Sequence, residues 1–155
     1  DEACKLLHWQ TEAVHRAEAT ELWKWMGQPV HARVPETAQQ DFIATVRPNI
    51  HFPAEALDWA QRLFGDDLQV SEEAQTVIAT APTGFFENAL SAYEKHGAEY
   101  KELVDEIKQL SGVKGKALFM PLRAALTGLT HGPELARMLA LIPPERVRQR
   151  LNNPT

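Results

Sequence analysis

The sequence predicts an all-α protein built from two consecutive helical subdomains. Apolar residues recur at intervals of three and four along most of the 155 residues, which is the spacing of one helix face. No stretch shows the convincing alternation of apolar and polar residues that a half-buried strand requires. Proline and glycine divide the apolar runs at positions where helices typically begin and end.

The first two predicted helices cover the N-terminal third. Residues 5–26 have apolar positions close to a 3.6-residue period, and Gly27 with Pro29 ends that run. Thr37 followed by Gln40 fits a capping box, which would open a helix reaching about position 46. The sequence therefore predicts a long helix and a short one separated by a proline-containing turn.

A short extended stretch and a third helix complete the first subdomain. Pro48 and Pro53 bracket the extended stretch, and residues 54–64 then return to helical spacing. The segment GDDLQV (65–70) sets a glycine and two aspartates between two apolar runs, which is typical of a boundary. The predicted subdomains are therefore residues 1–66 and 67–155.

The next helices follow from the same signals. Ser71 is suited to cap a helix through about Thr80. Pro82 starts another, which runs to His96-Gly97, where the glycine ends it. A helix rich in Glu and Lys follows at 98–110. These three segments precede the most apolar part of the chain.

That part reads SGVKGKALFMPLRAALTG and occupies residues 111–128. A helix over 115–127 would place four residues on one buried face, Leu118, Leu122, Ala125 and Leu126. Two further helix starts follow. Gly132-Pro133 places a glycine at the N-cap and a proline at the first helical position. Pro143-Pro144 is a second helix start of this kind, again with a proline at the first helical position.

A second face of the same helix carries a stripe suited to single-stranded nucleic acid. Lys116, Phe119 and Arg123 follow at i, i+3 and i+7, and Thr127 extends the line. Cations pair with phosphates, a ring stacks on an unpaired base, and arginine donates two hydrogen bonds to a base edge. If the helix instead begins near Pro121, the stripe shrinks to its last two members. The alternative is that Phe119 is core and Arg123 pairs with an acid.

Charge is distributed unevenly along the chain. The net charge is −5, yet residues 111–155 carry 7 basic and 2 acidic side chains. A basic end on an acidic body suggests a local contact with a polyanion, while chance clustering on solvated faces is the alternative. The longest apolar run is far shorter than the roughly 18 residues needed to cross a membrane. We therefore expect no membrane association.

The C-terminal motifs resemble the end of bacterial glutamyl-tRNA synthetase, a class I aminoacyl-tRNA synthetase. The resemblance rests on VKGKALFMPLRAALTG followed by HGPELARMLALIPPERVRQRL, and on VRPNIHFP and LFGDDLQVSEEA, which are similar to the connector between that family's two anticodon-binding subdomains. It extends from about residue 47 to 151 and is weaker over 1–46. It implies a helical cage in which both predicted subdomains bind the anticodon.

The resemblance also implies where tRNA is contacted. The arginine of the P-L-R motif, here Arg123, helps to read the anticodon, and the helix start from Gly132 to Leu135 approaches anticodon bases. In the first subdomain, Asn49 stands where the family often places an arginine directly after the proline, and Arg47 lies before that proline. The expected tRNA-binding residues are Arg123, Arg47, Asn49, Lys114, Lys116, Thr127, Gly132 and Leu135.

The implied function is the anticodon-binding region of a glutamate–tRNA ligase, a cytoplasmic monomer that binds tRNA(Glu) and, as an open alternative, tRNA(Gln). The chain begins with Asp1, so we expect a segment of a longer protein. No H-I-G-H-like or K-M-S-K-S-like motif occurs, and one cysteine and six histidines form no metal motif. We expect no catalytic residue, metal or cofactor in this chain, with ATP and Mg used by the full-length enzyme.

Two functions from other classes stay open on the sequence. A helix-turn-helix DNA-binding module could be built on LTHGPELARML, where a glycine turn precedes a helix. That helix offers only Arg137 as a base reader. A helical protein-interaction domain is the other alternative, and it would bind no nucleic acid.

Overall fold

The computed structural model describes residues 18–154, and the chain divides into two compact units between Asp67 and Leu68. The described residues form ten α-helices and two 3-10 turns, with no strand among them. The predicted all-α class is therefore confirmed. Within the described part of the chain, no helix combines the length and apolar character that a membrane span requires.

The first unit contains four described helices, which bury one apolar face each. They are α1 (Ala19–Met26), α2 (Gln28–His31), α3 (Gln39–Val46) and α4 (Pro53–Phe64), with 3-10 turns at Glu36–Ala38 and Arg47–Asn49. Helix α1 packs on α3 and α4, and α2 packs on α4. Their shared core includes Leu22, Phe42, Ile43, Ile50 and Leu63, each at most 1% exposed. The earlier part of the predicted helix 5–26 lies outside the described residues.

One local prediction in this unit is wrong and another holds only in part. Thr37 does not cap α3, because it lies inside a 3-10 turn and no side chain caps the helix at Ala38. The stretch bracketed by Pro48 and Pro53 is extended at Ile50 and Phe52, as predicted, but not at its start, because residues 47–49 form a 3-10 turn. The chain becomes extended only after this turn. The Glu55 carboxylate then caps the start of α4 by accepting hydrogen bonds from the backbone N–H groups of residues 51 and 52 at 2.8 and 2.9 Å.

The second unit contains six helices around one core. They are α5 (Glu72–Ala79), α6 (Phe85–His96), α7 (Tyr100–Ser111), α8 (Lys116–Thr127), α9 (Leu135–Leu141) and α10 (Pro144–Asn152). Helices α6 and α7 form a hairpin, α8 packs on α5 and α10, and α10 also packs on α6. The core includes Phe85, Leu103, Ile107, Leu118 and Met138, each at most 1% exposed.

Helix starts in this unit were predicted with mixed success. The Ser71 hydroxyl caps α5 by accepting from the Ala74 N–H at 3.1 Å, and Pro144 occupies the first position of α10, as predicted. Pro82 does not begin α6, which starts at residue 85 after a glycine in the left-handed region. Gly132-Pro133 does not begin α9 either, because that helix starts at residue 135.

Candidate nucleic-acid interface

Helix α8 carries three of the eight predicted contact residues and runs unbroken from Lys116 to Thr127. Pro121 lies inside it, so the version in which the helix begins at that proline is wrong. The four residues predicted for its buried face are all at most 3% exposed: Leu118, Leu122, Ala125 and Leu126. The predicted stripe from Lys116 to Thr127 lies along another face of the same helix.

The stripe changes from exposed to buried along α8. Lys116 is exposed, Phe119 and Arg123 are half-buried, and Thr127 is 0% exposed. The Thr127 hydroxyl donates to the Arg123 carbonyl at 2.9 Å and accepts from the Leu129 N–H at 3.2 Å. Thr127 therefore stabilises the turn after α8, and its burial rules out a direct RNA contact in this conformation. That corrects the expectation for this residue.

Arg123 is held by the backbone rather than by an acid. Its Nη1 donates a hydrogen bond to the carbonyl of Pro133 at 2.8 Å. Within residues 18–154 it takes part in none of the side-chain ion pairs. Burial lowers the pKa of Arg123 and the nearby Tyr100 raises it, and a guanidinium stays protonated at neutral pH. Arg123 therefore presents a positioned cation that is half-open to solvent.

The hydrogen bond to Pro133 brings α8 against the segment that leads into α9. Gly132 adopts a φ of 140°, in the region that favours glycine, and Pro133 is buried behind it. Leu135 is only 4% exposed, so its side chain belongs to the core. The structure thus joins Arg123 to the segment that contains Gly132 and Leu135, and of these three residues Leu135 is buried while the other two are half-buried.

The two predicted lysines stand at the other end of α8. Lys114 and Lys116 are exposed and flank Gly115, which precedes the first helical residue. A rise of 1.5 Å per residue places Lys116 about 10 Å along the axis from Arg123. Helix α8 therefore carries two separated cations, Lys116 and Arg123, that solvent can reach.

The remaining two predicted residues belong to the first unit. Arg47 is half-buried and Asn49 is exposed, and both lie in the 3-10 turn between α3 and α4. The exposed amide of Asn49 has both a donor and an acceptor, so it can hydrogen-bond a base edge. The first unit therefore offers its own polar contact at the position that the resemblance indicated.

Two further residues near the candidate interface lie outside the set of expected tRNA-binding residues. Tyr100 lies with its ring nearly parallel to that of Phe119, at 6.5 Å between ring centroids and an interplanar angle of 23°. Arg150, from the arginine-rich helix α10, is 8% exposed and donates from Nη1 to the Leu126 carbonyl at 2.8 Å. No local pattern marks Tyr100. Arg150 shares a face with buried Val147 and Leu151, a spacing visible in the sequence.

Comparison with known proteins places these features in a family. A family model described as anticodon binding domain matches residues 17–154. Among curated relatives, Glutamate--tRNA ligase 2 of Nitrosococcus oceani is 45% identical over 149 residues, which cover 96% of this chain and 32% of that protein. Glutamate--tRNA ligase 1 of Halorhodospira halophila is 46% identical over 146 residues, covering 94% of this chain and 30% of that protein.

The similarity extends along nearly the whole chain but covers only part of each relative. Glutamate--tRNA ligase 2 of Acidithiobacillus ferrooxidans is 43% identical over 148 residues, or 96% of this chain and 30% of that protein. The chain thus spans about a third of the length of these curated relatives. From the extent of the family match and the helical architecture that carries it, we conclude that the chain belongs to the anticodon binding domain family of glutamate–tRNA ligases.

Proposed function

We propose that this chain binds tRNA(Glu) and reads its anticodon for a glutamate–tRNA ligase. In this proposal the remainder of the parent protein carries out glutamylation with ATP and Mg, while the chain itself positions the tRNA. The protein acts as a cytoplasmic monomer. Residues 1–66 and 67–155 each supply part of the anticodon contact, and tRNA(Gln) is the second tRNA that these contacts could accept.

The observation that carries the proposal is that the Arg123 guanidinium is hydrogen-bonded to a backbone carbonyl and half-open to solvent. A guanidinium has five N–H donors in a fixed fork, and the hydrogen bond from Nη1 to the Pro133 carbonyl anchors one end of that fork. Since no carboxylate among the described residues pairs with it, the fork is available to an unpaired base. Arginine that donates two hydrogen bonds to a base edge is a common means of sequence-specific recognition.

The other residues divide into base contacts and phosphate contacts. Asn49 reads a base edge from the first unit, with Arg47 beside it as the neighbouring cation. Lys114 and Lys116 neutralise phosphates. Both side chains are exposed, and the ammonium group of a lysine acts as a point charge toward phosphate. Gly132 contributes through its backbone, since it has no side chain. Leu135 and Thr127 support the fold around the contact.

Binding of the 155-residue chain to tRNA transcripts tests this function. We expect tighter binding to tRNA(Glu) than to the same transcript with a changed anticodon, and only weak, sequence-independent binding to duplex DNA. Fluorescence anisotropy at one salt concentration measures all three. Equal affinity for tRNA and DNA would contradict the proposal, and a parallel titration with tRNA(Gln) decides whether the second tRNA is accepted.

Replacing both lysines with alanine should flatten the salt dependence of binding. Each phosphate contact releases counterions, so removing two cations should reduce the slope of log K against log salt by about one to two units. The preference for the correct anticodon should persist, because phosphate contacts carry no base information. The measurement is the affinity of Lys114→Ala/Lys116→Ala over a series of salt concentrations.

A matched control uses two exposed lysines elsewhere, Lys24 in α1 and Lys108 in α7. The Lys24→Ala/Lys108→Ala variant has the same net charge as the test variant, so it should keep the wild-type slope. Equal flattening in both variants would show that overall charge, rather than a local phosphate contact, governs the salt dependence.

A further inference from the structure

Tyr100 and Phe119 form an aromatic pair beside the candidate interface. Tyr100 is the first residue of α7 and Phe119 lies on α8, so the pair joins two helices. The rings are nearly parallel, with 6.5 Å between their centroids and an interplanar angle of 23°, which fits an offset stacked pair. The two rings therefore form one aromatic surface that α7 and α8 share.

The exposure of this pair distinguishes it from the other phenylalanine pairs within residues 18–154. A tilted pair in the first unit includes Phe42, which is 0% exposed, and an edge-to-face pair in α6 includes Phe85, which is 1% exposed. One ring of each of those pairs thus belongs to the core. Tyr100 and Phe119 are both half-buried, so both keep surface that solvent can reach.

Cations lie on both sides of Phe119 along α8. Lys116 is exposed one turn before it, and Arg123 is half-buried one turn after it, on the same face of the helix. On α7 the exposed Glu99 precedes Tyr100, so negative charge lies on that side of the pair. A phosphate is therefore favoured on the α8 side of the rings and disfavoured on the α7 side.

An aromatic surface with cations beside it suits a single-stranded nucleic acid. Aromatic side chains stack on the faces of unpaired bases, and neighbouring cations pair with the phosphates. In a duplex the base faces are covered by the neighbouring base pairs, so only an unpaired base offers a free face to a ring. The loop that carries an anticodon contains such bases.

We propose that the Tyr100–Phe119 pair is a stacking site for one unpaired base of the anticodon loop, with Lys116 holding an adjacent phosphate. This proposal rests on the proposed function and deepens it, because it adds a second kind of contact beside Arg123. Stacking accepts any base, since every base has an aromatic face. The ring pair therefore contributes affinity, while Arg123 contributes discrimination between bases.

Replacing Tyr100 with leucine in the 155-residue chain removes the α7 ring and tests the site. The ligands are the anticodon stem-loop of tRNA(Glu) and versions in which one loop nucleotide at a time is abasic, so that the phosphate stays and the base is lost. We expect Tyr100→Leu to bind the intact stem-loop about tenfold more weakly, within the range for loss of one base–aromatic stack. Fluorescence anisotropy measures each dissociation constant.

The abasic stem-loops show whether the ring acts on a base. At one loop position, removal of the base should weaken binding to the wild type by a similar factor, and Tyr100→Leu should cause no further loss with that ligand. At the other positions the two losses should add. This pattern identifies the base that stacks on the pair.

Three further variants complete the experiment. Phe119→Leu removes the other ring and should give the same pattern, so it repeats the test independently. Tyr100→Phe keeps the ring and should bind as the wild type does, because stacking does not need the hydroxyl. Phe86→Leu is the matched control, since Phe86 is also half-buried and packs edge to face on Phe85 in α6, and it should keep wild-type affinity for every stem-loop.

Unchanged affinity in Tyr100→Leu and Phe119→Leu would overturn the proposal. A loss that is the same for the intact and for every abasic stem-loop would also overturn it, because the rings would then act only through the fold. Thermal unfolding of each variant gives the folded fraction for which the affinities are corrected. Failure of the proposed function is a different result: the wild type would bind stem-loops with the correct and with a changed anticodon equally, while the coupling between Tyr100 and a loop base could still be measured.

Discussion

Arg123→Ala is expected to weaken binding of tRNA(Glu) by about 1–3 kcal/mol, the range for loss of a bidentate contact to a base. The loss should be much smaller for a tRNA whose contacted anticodon base has been changed, because the wild-type guanidinium gains little there. Arg123→Lys should lose nearly as much discrimination, since lysine keeps the charge and lacks the fork. Anisotropy titrations with both transcripts measure the effect.

Arg137→Ala is the matched control for this experiment. Arg137 is exposed on α9 and its Nε lies 3.6 Å from a Glu134 oxygen, so its charge is partly compensated. We expect only a small loss that is equal for all tRNAs. If Arg123→Ala also weakened every tRNA equally, Arg123 would be a phosphate contact and would not read the anticodon.

Arg150→Ala is expected to lower the free energy of unfolding of the second unit by about 2–3 kcal/mol. The substitution leaves the Leu126 carbonyl without its donor and removes the packed aliphatic part of the side chain. Burial lowers the pKa of Arg150 to about 10, with the charge of Arg146 adding to the effect. Arg150 is thus still a buried cation at neutral pH, and urea-induced unfolding measures what its interactions contribute.

Arg148→Ala provides the comparison on the same helix. Arg148 is exposed and lies over the Tyr93 ring, a contact that contributes less than about 1 kcal/mol at such a site. Equal destabilisation by the two substitutions would contradict a structural role for Arg150. Arg150→Met, which keeps the aliphatic volume, should lie between Arg150→Ala and the wild type.

The role of Arg150 changes what the arginine-rich C-terminal helix is expected to do. Its arginines at positions 146, 148 and 150 belong to the basic C-terminal end, for which the charge distribution suggested a local contact with a polyanion. The structure directs Arg150 inward, so it cannot neutralise a phosphate in this conformation. A variant lacking Arg150 should therefore keep its salt slope as long as it stays folded.

Helix periodicity predicted the all-α class and the buried face of α8, because burial of a helix face depends on residues three and four apart. The Ser71 cap and the proline at the start of α10 were also predictable, since both depend on groups within one turn. The starts of α3, α6 and α9 were predicted wrongly, because a Thr, a Pro and a Gly-Pro pair fit a helix start and a turn equally well.

Local sequence by itself therefore determined which segments are helical, which faces are apolar and where the family motifs lie. Only the tertiary structure decided that Thr127 and Arg150 are buried, that Arg123 bonds to Pro133, and that Tyr100 lies against Phe119. These contacts join residues that are distant in sequence or lie in different helices. Their geometry depends on how whole helices pack, and the local spacing that places Arg150 on the face of Val147 and Leu151 does not give its partner.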